Sequence, residues 1–322
     1  MAGVLDSVNQ RTQLVGQNRL ELLLFRLTDE EQLYGINVFK VKEVLQCPPL
    51  NEIPQRHPVI RGVAHIRGGT IPIMDIDLAI GNDALQNTDE SFVIITEYNG
   101  STQGFMVHAV ERIINMNWED IEPPPRGAGK ENYLTAVTNI DNHIVEIIDV
   151  EKILSEVSPI NEDISDGIIE DGVAERVVQK HILISDDSTI ARKQIQRVVE
   201  QMGIRTTIKK DGREALDYLL ELVEQGKNPA EELVLIISDI EMPEMDGYTF
   251  TAEVRAHEKL KDLYIILHTS LSGVFNEAMV KKVGANDFLS KFNPDLLAKR
   301  LNDRVLEITG ERLIDIEEDD EG

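Results

Sequence analysis

LVLIISDIEMPEMDG, residues 233–247, joins a continuous apolar run to an acidic loop. The run ends on Asp239, and a short apolar run of this kind is typical of a strand that is buried on both faces. A helical pattern follows at residues 248–256. A buried strand that leads through a loop into a helix indicates one unit of a parallel α/β sheet, with Asp239 at the carboxyl end of the strand.

The same order of strand and helix recurs throughout the C-terminal half. Further apolar runs lie at residues 181–185, 205–208, 263–268 and 287–290, and helical patterns follow them at residues 189–202, 213–224, 276–283 and 294–308. Together with residues 233–256, this alternation predicts a five-stranded parallel (βα)5 sheet with helices on both faces. Sheets of this kind bind ligands beyond the carboxyl ends of their strands.

Acidic side chains and one lysine fall at that edge of the predicted sheet. Asp186 and Asp187 close the first strand, Asp239 closes the third, Thr269 follows the fourth and Lys291 follows the fifth. Converging carboxylates raise one another's pKa unless a hard divalent cation lies among them, and Mg²⁺ suits such oxygen ligands. Each acid taken singly is equally well explained as a cap of the helix that follows it, but the joint placement favours a common site.

Such a site has the groups needed to accept a phosphoryl group. We interpret Asp239 as the nucleophile that forms an acyl phosphate, a reaction that needs cations to neutralise the transferring oxygens. The other roles go to Asp186, Asp187 and the backbone carbonyl of Glu241 as metal ligands together with Asp239, to Thr269 as hydrogen-bond donor to the phosphoryl group, and to Lys291 as the cationic side chain.

Residues 181–308 resemble the receiver domain of two-component response regulators, and in particular the chemotaxis type. The resemblance rests on ISDDS at residues 184–188, SDIEMPEMDG at residues 238–247 and GANDFLSK at residues 284–291. It implies a flavodoxin-like (CheY-like) fold that binds Mg²⁺ and is phosphorylated at Asp239.

The resemblance also implies a conformational switch. Phosphorylation draws Thr269 toward the phosphoryl group and lets the ring of Phe288 reorient. Two departures from the family pattern stand out: Phe292 replaces the proline that usually follows the lysine, and residues 224–232 predict an enlarged connection before the third strand.

Many short apolar runs, separated by polar or glycine positions, fill the N-terminal half. They lie at residues 22–27, 34–38, 41–45, 70–76, 92–96, 104–110, 112–116, 134–138 and 144–148. Short strands at roughly regular spacing predict a barrel-like all-β unit over residues 20–154. Residues 139–142, NIDN, predict a hairpin with a four-residue loop.

The N-terminal half is better interpreted as a binding module than as a catalytic domain. Its histidines are His57, His65, His108 and His143, and they lack the spacing of metal ligands. No pair of residues can be identified as a nucleophile and its base.

This half resembles the CheW family of coupling proteins over nearly the whole of residues 20–154. The motifs are YGINV at residues 34–38, IRGV at residues 60–63 and IRGGTIPI at residues 66–73. The resemblance implies two SH3-like β-barrels, one contacting the signalling tips of chemoreceptors and the other a regulatory domain of the histidine kinase CheA. The receptor-contacting positions of the family correspond to Val41, Glu43 and Arg67.

Composition and charge exclude several classes of partner. A formal net charge of −26 disfavours binding to nucleic acid or to anionic membranes.

The cysteine content and the N-terminal residues indicate the compartment. Cys47 is the single cysteine, which leaves no internal disulfide and fits a reducing compartment. Residues 1–20 contain no continuous apolar core, so we expect neither a secretory signal nor membrane insertion, and we expect a cytoplasmic protein.

The domain order follows from these segments. We predict an N-terminal segment at residues 1–19, a CheW-like domain at 20–154, an acidic linker at 155–179, a receiver domain at 180–309 and an acidic tail at 310–322. A CheW-like domain followed by a receiver resembles the CheV type of chemotaxis coupling protein. That resemblance implies a non-enzymatic adaptor at polar chemoreceptor arrays, which couples receptors to CheA under the control of receiver phosphorylation and serves adaptation.

Two other functions stay open on the residues alone. The receiver could be a phosphate sink that only drains the kinase, with the N-terminal domain localising it. Alternatively, Asp239 could be the nucleophile of a phosphohydrolase with Glu241 as general acid, although the Asp186-Asp187 pair and Thr269 fit a receiver better.

Overall fold

The computed structural model describes residues 19–98, 101–117, 120–123, 133–158, 163–170, 172–268, 274–289 and 292–310. The chain forms two compact units, one built mainly from the N-terminal half and one mainly from the C-terminal half. In the described part of the chain, no helix is long and apolar enough to cross a membrane.

The N-terminal unit contains two β-sheets, which confirms the all-β prediction for this half. Its strands are β1 (Arg19–Arg26), β2 (Leu33–Asn37), β3 (Val41–Gln46), β4 (Ile60–Ile66), β5 (Gly69–Asp75), β6 (Phe92–Tyr98), β7 (Ser101–Val107), β8 (Ala109–Asn117), β9 (Ile121–Glu122), β10 (Leu134–Ile140) and β11 (His143–Ile148). One sheet has the order β8-β1-β2-β11-β10-β9 and the other has the order β3-β6-β7-β5-β4. Two short helices, α1 (Ile76–Ala79) and α2 (Val150–Val157), follow β5 and β11.

One apolar cluster is shared by the two sheets of this unit. Phe25 of the first sheet and Phe105 of the second are both completely buried in it, and Leu154 of α2 belongs to the same cluster. The alternation of apolar and polar residues along the strands supplies this core, because successive side chains of a strand point to opposite faces of the sheet.

Two details of this unit differ from the sequence prediction. The chain turns between β10 and β11 through only Asp141 and Asn142, both with positive φ (51° and 66°), so the predicted four-residue loop is wrong. Aspartate and asparagine tolerate this left-handed conformation, which favours a two-residue hairpin turn. Strand β4 was not among the predicted runs because Gly62 interrupts its apolar pattern; a side chain there would lie 2.6 Å from the backbone oxygen of Asn51.

A buried ion pair ties together several parts of the second sheet. Asp75 is completely buried and accepts a hydrogen bond from Nη1 of Arg61 at 2.7 Å. The same carboxylate accepts the backbone N–H of Leu85 at 3.1 Å and caps α1 through the N–H of Leu78 at 3.4 Å. These bonds join β4, the end of β5, helix α1 and the following loop at one buried carboxylate.

The C-terminal unit is a parallel α/β domain, as predicted. Its strands are β12 (His181–Ser185), β13 (Arg205–Lys209), β14 (Leu233–Asp239), β15 (Ile265–His268) and β16 (Asp287–Leu289). Its helices are α3 (Val173–Arg176), α4 (Thr189–Gln201), α5 (Gly212–Glu224), α6 (Pro229–Glu232), α7 (Gly247–Ala256), α8 (Val274–Val283) and α9 (Pro294–Thr309). The five strands pair in parallel in the order β13-β12-β14-β15-β16.

Polar residues at the strand-to-helix connections start the helices. The side chains of Ser188, Asp211 and Asn293 accept backbone N–H groups of the first turns of α4, α5 and α9, at 3.3, 2.8 and 2.8 Å. Each cap satisfies a donor that the helix itself cannot pair, and it fixes where the helix begins relative to the sheet edge. The enlarged connection predicted before the third strand contains the short helix α6.

The segment before β12 departs from the linker prediction. Val173 and Val177 are buried in the core of the C-terminal unit, and Ser165 donates its backbone N–H and its hydroxyl to Asp295, both at 2.8 Å. The acidic composition of this segment predicted a linker, but its few apolar residues are placed so that they reach the core. The exact domain bounds stay predictions, and residues 311–322 of the predicted acidic tail (310–322) lie outside the described residues.

We expect Arg61→Met to lower the free energy of unfolding of the N-terminal unit by about 3 kcal/mol or more, because it leaves the buried Asp75 carboxylate without its cation. The matched control is Arg112→Met, which breaks an ion pair with Asp141 whose side chains are 58% and 74% exposed. That change should cost less than about 1 kcal/mol. Urea unfolding of the full chain measures both, and equal losses would contradict the assigned role of Arg61.

Candidate functional site

Three side chains meet at the carboxyl edge of the parallel sheet. Asp186 directly follows β12, Asp239 ends β14 and His268 ends β15. Strand register brings them together, because Asp239 is paired with His268 on the neighbouring strand. One ligand atom from each of the three residues lies within 4.8 Å of the others, which is a separation suited to a shared metal ion.

Backbone groups hold the two carboxylates in place. An oxygen of Asp186 accepts the N–H of Ser188 at 2.8 Å, and its backbone carbonyl accepts Nη1 of Arg192 at 2.5 Å. An oxygen of Asp239 accepts the N–H of Glu241 at 3.2 Å. The strand ends and the first turn of α4 therefore orient these acids before any ligand binds.

The electrostatics of the cluster disfavour a charged Asp239. Burial of the carboxyl group raises the pKa of Asp239 well above the ordinary aspartate value, and the charges of Asp186, Asp187 and Glu241 raise it further. A divalent cation would reverse this effect, because it favours the ionised form of every carboxylate around it. The donor set, which is rich in carboxylate oxygens, fits such an ion.

The structure describes some of the other residues predicted for this site but not all of them. Asp187 and Glu241 lie close enough for their charges to raise the pKa of Asp239, while their roles as metal ligands stay predictions. Phe288 is half-buried in β16, where it pairs with Leu267. Thr269 and Lys291 lie outside the described residues, so their roles stay predictions, as does the ligand role of the Glu241 carbonyl.

Sequence reasoning missed His268. It was included in the apolar run at residues 263–268, where a terminal histidine looks like the polar end of a strand. Its position directly before Thr269 was the available indication, since every residue at this strand end faces the same edge of the sheet. In the structure it is 6% exposed and lies beside Asp239.

A second candidate site lies on the N-terminal unit, at the turn between β4 and β5. Arg67 donates from Nε to both oxygens of Glu43 at 2.8 and 3.0 Å, and from Nη2 to one of them at 2.7 Å. The Arg67 side chain is 78% exposed, and its φ of 47° places the guanidinium at the tip of a left-handed turn. The pair borders an open groove of about 450 Å³ that is also lined by Lys42 and Pro72.

The structure separates the third predicted contact residue from this pair. Val41 begins β3, two residues before Glu43, but it packs against the apolar cluster that the two sheets share. A change of register between Val41 and Glu43 in the pairing with β6 accompanies this difference. Only Glu43 and Arg67 of the three therefore border the groove.

Comparisons with known proteins match both halves of the chain. Residues 21–158 match the CheW-like domain family, and residues 182–302 match the response regulator receiver domain family. Chemotaxis protein CheV3 of Helicobacter pylori is 33% identical over 300 residues, which cover 88% of this chain and 94% of CheV3. CheV2 of the same organism is 30% identical and covers 89% of this chain and 95% of its own length. Chemotaxis protein CheW of Klebsiella aerogenes is 29% identical over 48% of this chain and 92% of its own length.

We expect Gly247→Ala to disrupt the site around Asp239. A Cβ atom on Gly247 would collide with the backbone oxygen of Asp239, and no flexible side chain is available to move aside. The receiver should lose about 2 kcal/mol or more of its free energy of unfolding, and its affinity for Mg²⁺ should fall because Asp239 must shift.

Glu253→Ala is the matched control, because Glu253 lies exposed on the same helix, α7. Denaturant unfolding and calorimetric Mg²⁺ titration of the full chain measure both variants. Unchanged Mg²⁺ affinity in Gly247→Ala would show that this contact does not position Asp239.

Proposed function

Because the chain belongs to the CheV family of chemotaxis proteins, we propose that it is an adaptor that couples chemoreceptors to the histidine kinase CheA and is regulated by phosphorylation of Asp239. The observation that carries the regulatory part of the proposal is the convergence of Asp186, Asp239 and their charged neighbours at one sheet edge. The ion pair between Glu43 of β3 and Arg67 of the turn between β4 and β5 carries the coupling part.

In the proposed reaction, a carboxylate oxygen of Asp239 attacks the phosphorus atom of a phosphohistidine on the kinase. The new P–O bond forms as the P–N bond breaks, which leaves an acyl phosphate on Asp239 and a neutral histidine after proton uptake. Asp186, Asp187, Asp239 and the backbone carbonyl of Glu241 would hold Mg²⁺, which neutralises charge on the transferring oxygens. Thr269 and Lys291 are proposed to contact the phosphoryl group.

Several features of Asp239 support its role as acceptor. The residue keeps part of its surface accessible, so a donor can approach, while its neighbours hold it through the backbone of the acceptor loop. The acyl phosphate carries a charge of about −1.5 to −2 in place of the single charge of the carboxylate, at a site that already disfavours negative charge. We propose that the resulting rearrangement, with Thr269 and Phe288 as its moving residues, alters the coupling and serves adaptation.

The coupling surface is proposed to be the groove at the turn between β4 and β5. Glu43 and Arg67 form an ordered pair of opposite charges there, in which the Arg67 side chain is mostly exposed and two of its nitrogens donate to the Glu43 carboxylate. An ordered pair loses less side-chain entropy on binding than two free side chains would. Chemoreceptor signalling tips are the proposed partner of this groove, which would recruit the protein to polar receptor arrays, and Val41 is proposed to support the surface from beneath.

We expect labelled phosphate to pass from autophosphorylated CheA to the full chain in the presence of Mg²⁺. Asp239→Asn should abolish the label because the amide cannot act as the nucleophile. Asp217→Asn should keep it, because Asp217 lies exposed on α5. Label on the Asp239→Asn variant, or none on wild type while another receiver accepts it in parallel, would overturn the proposed chemistry.

The same assay can separate a coupling switch from a phosphate sink. If phosphorylation controls coupling, wild type and a variant without Asp239 should give different kinase activity even when there is less adaptor than kinase. A dependence that appears only with excess adaptor would favour the sink.

We expect charge exchange at the groove to weaken receptor coupling without unfolding the domain. Arg67→Glu, Glu43→Arg and the double exchange should each weaken binding to receptor signalling fragments by about tenfold or more, since each removes a charge that the receptor contacts. The double exchange restores an internal pair, so its stability should stay within about 1 kcal/mol of wild type.

Arg112→Ala, on the other sheet, is the binding control. Pull-down with receptor fragments and receptor-stimulated kinase activity measure the effect. Recovery of binding in the double exchange would mean that Glu43 and Arg67 only hold each other in place and that neither charge contacts the receptor.

A further inference from the structure

His268 is the residue of the receiver site that the proposed phosphotransfer does not use. It ends β15, is 6% exposed, and has a ring nitrogen within 4.8 Å of carboxylate oxygens of both Asp186 and Asp239. An imidazole in this position alters the donor set from oxygen alone to oxygen and nitrogen.

The placement of His268 is a consequence of the fold. Residues paired across parallel strands project their side chains to the same face, and His268 is paired with Asp239. Its backbone oxygen also accepts the N–H of Ile240 at 3.0 Å, which ties the end of β15 to the acceptor loop. Two strand ends and the connection after β12 therefore present one ring nitrogen and two carboxylates to a common point.

The chemistry of this donor set distinguishes between cations. Mg²⁺ prefers oxygen ligands and retains much of its water, whereas imidazole is a good ligand of first-row transition metals. The three ligand atoms all lie within 4.8 Å of one another, so small side-chain movements would let a single ion contact all of them. A neutral imidazole also adds a ligand without adding another negative charge to the crowded carboxylates.

We propose that His268 is a direct ligand of the metal centre and makes this receiver selective for first-row divalent transition metals, such as Mn²⁺, over Mg²⁺. The inference rests on the metal centre of the proposed function, and it concerns which ion that centre takes. The ring nitrogen of His268 binds the ion together with carboxylate oxygens of Asp186 and Asp239.

Mn²⁺ binding to the full chain tests the proposal without any phosphodonor. Electron paramagnetic resonance gives the Mn²⁺ affinity, competition gives the Mg²⁺ affinity, and pulsed measurements detect a ¹⁴N nucleus bound to Mn²⁺. We expect nitrogen coupling in wild type, and we expect His268→Phe to remove it. The variant should weaken Mn²⁺ binding by about tenfold or more and Mg²⁺ binding by less than about twofold.

His181→Phe is the matched control. His181 is likewise buried in the same sheet, at 8% exposure, but it begins β12 and contacts Tyr218 at 2.9 Å instead of the acidic cluster. This variant should keep both the nitrogen coupling and the ratio of the two metal affinities. Loss of the coupling in His181→Phe would assign the nitrogen to another site and overturn the proposal.

A second variant keeps the test decisive if His268→Phe does not fold. Asp186→Asn retains His268 and should still lose nitrogen-coupled Mn²⁺, because the ion lies between the two side chains. Absence of nitrogen coupling in wild type, or an unchanged ratio of Mn²⁺ to Mg²⁺ affinity in folded His268→Phe, would overturn the inference. Either result leaves phosphotransfer to Asp239 with Mg²⁺ as a separate measurement, so the two proposals fail independently.

Discussion

Repulsion among carboxylates at the carboxyl edge of the parallel sheet is the constraint around which the C-terminal unit is organised. Asp186 and Asp239 are brought there by neighbouring strands, and the pKa of Asp239 is raised by burial and by the charges of Asp186, Asp187 and Glu241. A protein that needed only stability would gain by replacing such a cluster, because uncompensated buried charge is costly. A cation at this edge would make the arrangement favourable, and the proposed phosphorylation of Asp239 would change the charge balance again. Under that proposal, metal binding and phosphorylation both act on the same sheet edge.

The N-terminal unit uses ion pairs in two different ways. The pair between Arg61 and Asp75 is largely buried, and the carboxylate also accepts two backbone N–H groups, so it holds the chain in place. The second pair joins Glu43 of β3 to Arg67 of the turn between β4 and β5, and because the Arg67 side chain is 78% exposed, solvent screens the pair and its contribution to stability is small. Because the second pair stays in contact with solvent, its charges lose little hydration, and they remain accessible to a partner. A binding module needs both kinds, because a rigid frame lets a few exposed side chains keep a defined position.

The segment before the receiver shows why composition alone misjudges some regions. Residues 163–178 are acidic on average, yet Val173 and Val177 are buried in the receiver core and Ser165 is bonded to Asp295. Burial depends on where a few apolar side chains fall relative to a surface that the rest of the chain creates. That surface does not exist until α4 and α9 have packed on the sheet. The local sequence alone therefore does not determine whether these apolar side chains are buried.

The amino-acid sequence by itself determined the two-domain order, the all-β and parallel α/β classes, and the strand ends at which Asp186 and Asp239 lie. These features follow from local periodicity and from the rule that parallel strands share one carboxyl edge, so they need no knowledge of distant contacts. Only the tertiary structure decided that His268 joins the acidic cluster, that Arg67 pairs with Glu43, and that Val41 turns away from that pair. Strand register and backbone turns set these outcomes, and register depends on pairing between segments that are far apart in the chain.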